Sequence, residues 1–108
     1  MKIYCLALNG WGTNPISIAI LRDKKFEYDV SNEYLIPTFQ KRLKEPVSRA
    51  KFDEKMVRCI FEIGKEVFYL DSSGVLRFKN QSYYIYPWLF LYIHEFNSEL
   101  IIKRYGKL

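Results

Sequence analysis

Pro87 stands inside the most apolar run of the chain, YYIYPWLFLYIHEF at residues 83–96, and a proline there decides what the run can become. Seven of these fourteen residues are aromatic. Tyr84, Tyr86, Trp88, Phe90, Tyr92, His94 and Phe96 hold the even positions, and Ile85, Leu89, Leu91 and Ile93 hold odd ones. One continuous strand with this pattern is apolar on both faces and belongs at the centre of a sheet, where Pro87 has no N–H to give the ladder. Two elements remove the conflict. The residue before a proline is held extended, and proline suits the first turn of a helix. The run therefore predicts a strand ending at Tyr83–Tyr86 and a helix that opens at Pro87 and closes at Asn97 or Gly106. Leu89, Ile93 and Phe96 share one face of that helix, with Trp88 and Phe90 on its flanks. Few of its positions before Glu95 are polar, so the helix is either deeply buried or partly covered by another chain.

The rest of the chain supplies strands and two further helices. KIYCLALNG reads as a strand running into an Asn9-Gly10 turn, and WGTNP as a loop. ISIAILRDKKFEYDVS reads as two strands around Asp23-Lys24-Lys25, the second alternating Phe26, Tyr28 and Val30 with Glu27 and Asp29. A short helix is expected from about Pro37, ended by Pro46. SRAKFDEKMVRCIFEIG reads as the best helix in the chain, with Ser48 as N-cap and Gly64 as C-cap. Its apolar stripe is Phe52, Met56, Cys59, Ile60 and Ile63, and Lys51, Lys55 and Arg58 fall on another face. EVFYLDSSGVLRFKNQSYYIY predicts a hairpin around Asp71-Ser72-Ser73-Gly74 and a third strand after Asn80-Gln81. The fold class expected is α+β, one domain over residues 1–108, with an antiparallel sheet packed on one face by two or three helices.

Charge is uneven along the chain. The formal net charge is +5. Residues 41–58 hold Lys41, Arg42, Lys44, Arg49, Lys51, Lys55 and Arg58 against Glu45, Asp53 and Glu54, and Lys103, Arg104 and Lys107 add a basic tail. Two readings fit this segment: a solvated face, or a patch for a polyanion or an acidic protein surface. Nucleic-acid binders that use stacking interleave rings with cations. Here residues 83–96 contain no Lys or Arg, and that segregation favours an aromatic core or a protein interface with a separate charged rim. Nine Tyr among 108 residues point the same way, because a buried Tyr needs a partner for its hydroxyl and many therefore stay half-exposed.

Catalytic and metal chemistry find few candidates. Cys5 and Cys59 lack metal-ligand spacing and read as buried free thiols in a reducing compartment. His94 lies among Leu91, Ile93 and Phe96 and reads as a packing residue. Asp53-Glu54 point apart on a helix, Glu95 and Glu99 read as a wet face, and Asn9-Gly-Trp-Gly12 is no phosphate loop. Expected are a non-enzyme with no cofactor, no metal and no small-molecule substrate. The apolar run Ile85–Ile93 is too short to cross a membrane, and MKIYCLALNGW reads as a strand rather than a secretion leader. A cytoplasmic protein is expected.

The ending EVFYLDSSGVLRFKNQSYYIYPWLFLYI resembles the hairpin-then-helix endings of small bacterial immunity proteins, which neutralise toxin domains of contact-dependent growth inhibition and similar secretion systems. The resemblance covers about the last forty residues and carries no individual functional residue with it. It implies a stoichiometric inhibitor whose partner is a toxin domain. Immunity proteins against nucleases are typically acidic and this chain is basic, so on this reading the toxin's contact surface is acidic or the contact avoids the basic segment. Candidate partner-binding residues are Tyr84, Tyr86, Trp88 and Tyr92, with Lys51, Lys55 and Arg58. The competing expectation is a small RNA- or DNA-binding accessory protein using residues 41–58.

Overall fold

The computed structural model describes residues 1–6 and 15–106. The Asn9-Gly10 turn, most of the WGTNP loop and Lys107 lie outside them. The elements are β1 (Lys2–Cys5), α1 (Ile18–Leu21), a 3-10 turn (Lys24–Phe26), β2 (Glu27–Asp29), α2 (Leu35–Leu43), β3 (Ser48–Arg49), β4 (Val57–Ile63), β5 (Glu66–Asp71), β6 (Val75–Phe78), β7 (Gln81–Tyr84) and α3 (Pro87–Tyr105). The strands form one antiparallel sheet in the order β2-β1-β4-β5-β6-β7-β3. With three helices, this is the α+β architecture the sequence predicts.

The sheet register explains the core. Tyr28, Ile3, Phe61, Phe68 and Phe78 face one another in turn across β2, β1, β4, β5 and β6. The next row on the same face runs Cys5, Cys59, Leu70, Leu76 and Tyr83. Side chains alternate along a strand, so these rows form one apolar surface. Phe39 and Leu43 of α2 and Leu89, Ile93 and Ile101 of α3 cover it. Phe39 meets Phe61 edge-on at 5.2 Å between ring centroids, and the Tyr83 hydroxyl donates to the Leu43 carbonyl at 2.8 Å. The other face is covered only in part. There α1 and the segment before β4 bring Leu21 and Phe52 onto Tyr4, Ile60 and Val75.

Residues 48–64 are not a helix. Ser48 opens the two-residue edge strand β3, and Gly64, at φ 62°, sits in the β4–β5 turn where a left-handed residue is required. Val57–Ile63 is a central strand buried on both faces. The apparent helical stripe was a subset of a nearly continuous apolar run, which period alone does not assign. Val57 and Phe61, both off that stripe, are fully buried. The first arm of the hairpin expected at residues 16–30 is also corrected. Ser17 accepts from the Ile20 N–H and Asp23 from the Lys25 N–H. These two caps turn a β-branched stretch into α1 and the 3-10 turn. The strand expected around Tyr28 forms as β2.

The break at Pro87 forms as expected. Tyr86 is extended, Pro87 opens α3, and its C-cap is Gly106 at φ 79°, whose N–H returns to Ile102. The shorter helix starts at Leu35, two residues before Pro37, because the Asn32 side chain accepts from the Tyr34 and Leu35 N–H groups. Both sheet edges are short. On β2, Arg104 of α3 donates to the Lys25 and Glu27 carbonyls and lies over the Tyr28 ring at 3.7 Å, which blocks that edge against further pairing.

Candidate interaction surface

The β7–α3 junction carries the exposed apolar groups that the sequence pointed to. Tyr84 is 43% exposed, Trp88 54% and Leu91 63%, and beside them Val47 is 51% exposed. The Val47 N–H donates to the Tyr84 carbonyl at 2.9 Å. Val47, Tyr84 and Pro87 border one depression, with Ser73, Gly74 and Phe90 completing it. Trp88 stacks on Tyr86 at 5.7 Å and 15°, and Leu91 follows Trp88 by one helical turn. Phe90 lies over Gly74, where an added Cβ would meet its ring at 3.6 Å.

The seven candidate residues do not share one surface. Tyr84 and Trp88 are at the surface and Tyr86 supports Trp88. Tyr92 is half-buried between helices, parallel to Phe96 at 6.0 Å and 6.5 Å from Phe39. Burial raises its pKa above the ordinary tyrosine value. Lys51 and Lys55 are exposed. Arg58 is 0% exposed. Its guanidinium donates to the Val57 carbonyl at 2.9 Å, and burial lowers its pKa while Asp53 and Asp71 push it back up. With the helix gone, the face that was to hold Lys51, Lys55 and Arg58 does not exist. Residues 41–58 are divided among α2, β3, the loop at 50–56 and buried β4. At the C-terminal end of α2, Arg42 pairs with Glu45 at 2.8 Å and the C-cap Lys44 with Glu66.

Val47 and Leu91 were not singled out by sequence reasoning. Leu91 was readable as the residue one turn beyond Trp88 on a helix with few polar positions. Nothing in the sequence marked Val47, whose place depends on β3 pairing with the distant β7.

Other chemistry is sparse. Among the described residues no group of three or more His, Cys, Asp or Glu is placed to hold a metal ion, and no helix is long and apolar enough to cross a membrane. His94 is half-buried with its ring against Phe90 at 4.7 Å, and burial lowers its pKa below the ordinary 6.5. The folded state thus resists protonation more than the unfolded chain, so its stability is full above the unfolded value and declines as pH falls below it. The thermal midpoint of the native chain is expected to fall more between about pH 7 and pH 5 than that of His94→Gln. Parallel profiles would exclude this contribution.

No family model matches the chain, and neither the curated proteins nor the solved structures contain a match.

Proposed function

We propose that this chain is a stoichiometric protein-binding inhibitor, an immunity protein that neutralises a cognate bacterial toxin domain in the cytoplasm. One observation carries the binding part: Val47 and Tyr84, bonded to each other, border one depression with Pro87 and Phe90 at the start of α3, and Trp88 and Leu91 on that same helix are each more than half exposed. Interfaces are enriched in Tyr and Trp, and a few such residues hold most of the binding energy. Both elements beneath the surface are anchored. Ile85 and Leu89, within and just beyond the junction, are core residues, so the rings are presented with little ordering left to complete on binding. The immunity part is supported by the resemblance of the hairpin-then-helix ending.

The test begins with a tagged purification at moderate salt to obtain the partner, followed by titration of the purified pair. A one-to-one complex is expected, and Trp88→Ala should weaken it by about 2 kcal/mol, roughly thirtyfold. Because Trp88 is half-exposed, its thermal midpoint should stay near that of the native chain. The partner gene should arrest growth when expressed alone and not when co-expressed with this chain. Undiminished affinity in Trp88→Ala together with Tyr84→Ala would remove the junction as the contact, and a harmless partner would remove the immunity role.

A further inference from the structure

The helix α3 is apolar on two opposite sides. Leu89, Ile93, Asn97 and Ile101 form its buried side. Trp88, Leu91, Ile102 and Tyr105 lie on the other, with Ile102 44% and Tyr105 60% exposed. A surface helix ordinarily carries polar and charged residues there. Together with the exposed Glu95 and the half-buried Ser98, these residues fall at i, i+3, i+7, i+10, i+14 and i+17. That is the spacing of the a and d positions of a heptad, the seam along which two helices pack. The seam runs for about 26 Å along the outer side of α3.

We propose that a second copy of this chain covers the seam, the two α3 helices packing antiparallel about a two-fold axis at the level of Phe96 and Asn97. The order of residues along the seam selects both the occupant and the orientation. In antiparallel register Trp88 meets the second copy's Tyr105, Leu91 meets its Ile102, and Glu95 meets its Ser98. Each pairing occurs twice, as a two-fold contact requires. Apolar groups oppose apolar groups at both ends, and polar groups share the centre. An unrelated helix need not match this order in both halves, whereas a second copy does so by symmetry.

The parallel register is worse. It would set Glu95 directly against Glu95 of the other copy, and among the described residues no cation lies within ion-pair distance of Glu95. A polar residue at one a position fixes the register of a helix pair in this way, at a cost in stability. The seam includes Trp88 and Leu91, so a second copy and an inhibited partner compete for the N-terminal half of α3. The dimer is then the form in which the free chain covers its own apolar surface. One helix pair is smaller than the roughly 1,200 Å² at which stable interfaces begin, so a dissociation constant on the order of tens of micromolar is expected.

The test is sedimentation equilibrium of the full chain from about 5 to 500 µM, which brackets that constant by mass action. A monomer–dimer equilibrium is expected. The variant I102D should weaken the dimer at least about tenfold. The same change at Ile20, which is 56% exposed on α1 and off the seam, should leave it unchanged. Orientation is read by mixing the variants L91C and I102C and oxidising them with diamide. The antiparallel pair predicts a disulfide between the two variants, and a parallel pair predicts disulfides within each. Cys5 and Cys59 are buried and stay out of reach. The proposal is overturned by a monomer throughout the range, by equal loss in I20D and I102D, or by disulfides formed only within each variant. Thermal midpoints matching the native chain separate lost association from lost folding. Failure here leaves the protein-binding proposal standing, since Val47, Tyr84 and Trp88 engage a partner without a second copy, and a harmless partner leaves the dimer standing.

Discussion

Phe61→Ala should lower the free energy of unfolding by about 4 kcal/mol and the thermal midpoint by about 20 °C. Phe61 sits at the centre of β4, fully buried, between Ile3 on β1 and Phe68 on β5, with Phe39 of α2 meeting its ring edge-on. Alanine removes most of the ring from a site where strands on both sides and a helix above restrict collapse, so the transfer loss and the cavity add. The position discriminates between two structures for residues 57–63. In the amphipathic helix suggested by Phe52, Met56, Cys59, Ile60 and Ile63, Phe61 lies off the buried stripe and its loss is that of a surface change, within about 0.5 kcal/mol. Chemical denaturation of Phe61→Ala and Cys59→Ala separates the cases. The strand predicts that Phe61 is the larger loss, and the helix predicts the reverse.

That segment shows where sequence reasoning succeeds and fails in this chain. The break at Pro87, the hairpin at Asp71–Gly74 and Gly106 as one of the two helix ends expected each rest on a local rule, either proline and glycine geometry or turn chemistry, and local rules do not depend on partners. The assignment of 48–64 depended on tertiary context. VRCIFEI is apolar on both faces because β1 and β5 flank it and layers lie above and below. Periodicity carries no information when both faces are buried. At 16–22 the opposite happened: two side-chain caps, Ser17 and Asp23, overrode β-branched composition over a few residues.

The candidate surface was legible to the same depth. Tyr84 and Trp88 flank a proline break, and that break turns a uniformly aromatic run into a junction with some rings outward. Tyr92 falls on the side of α3 that meets Phe39 of α2, which no local pattern states. The basic segment misled for a related reason. Its charges are adjacent in sequence but distributed by the fold: Arg58 goes inside, Lys44 is taken by Glu66, and Lys51 stays exposed beyond the edge strand β3.

Asp71→Ala is expected to cost about 4 kcal/mol, close to the loss at Phe61 although no apolar core contact is removed. Asp71 is 1% exposed. One carboxylate oxygen accepts from the Ser73 N–H at 2.9 Å and the Val75 N–H at 3.0 Å. The other accepts from the Asp53 N–H at 3.1 Å. Alanine leaves three donors without this acceptor and withdraws a negative charge from the neighbourhood of the buried Arg58 guanidinium. Asp71→Asn separates the two effects. Its amide oxygen still serves Ser73 and Val75, but an N–H group then faces the Asp53 N–H and the charge is gone, so about half of the loss should remain. The same bonds hold the β5–β6 turn, whose Ser73 and Gly74 border the depression beside Tyr84 and lie under Phe90. Asp71→Asn should therefore also weaken the partner complex at temperatures where the variant is fully folded. Equal stability of Asp71→Ala and the native chain by urea titration would show that the turn keeps its shape without the carboxylate, and the link from hairpin to interaction surface would be lost with it.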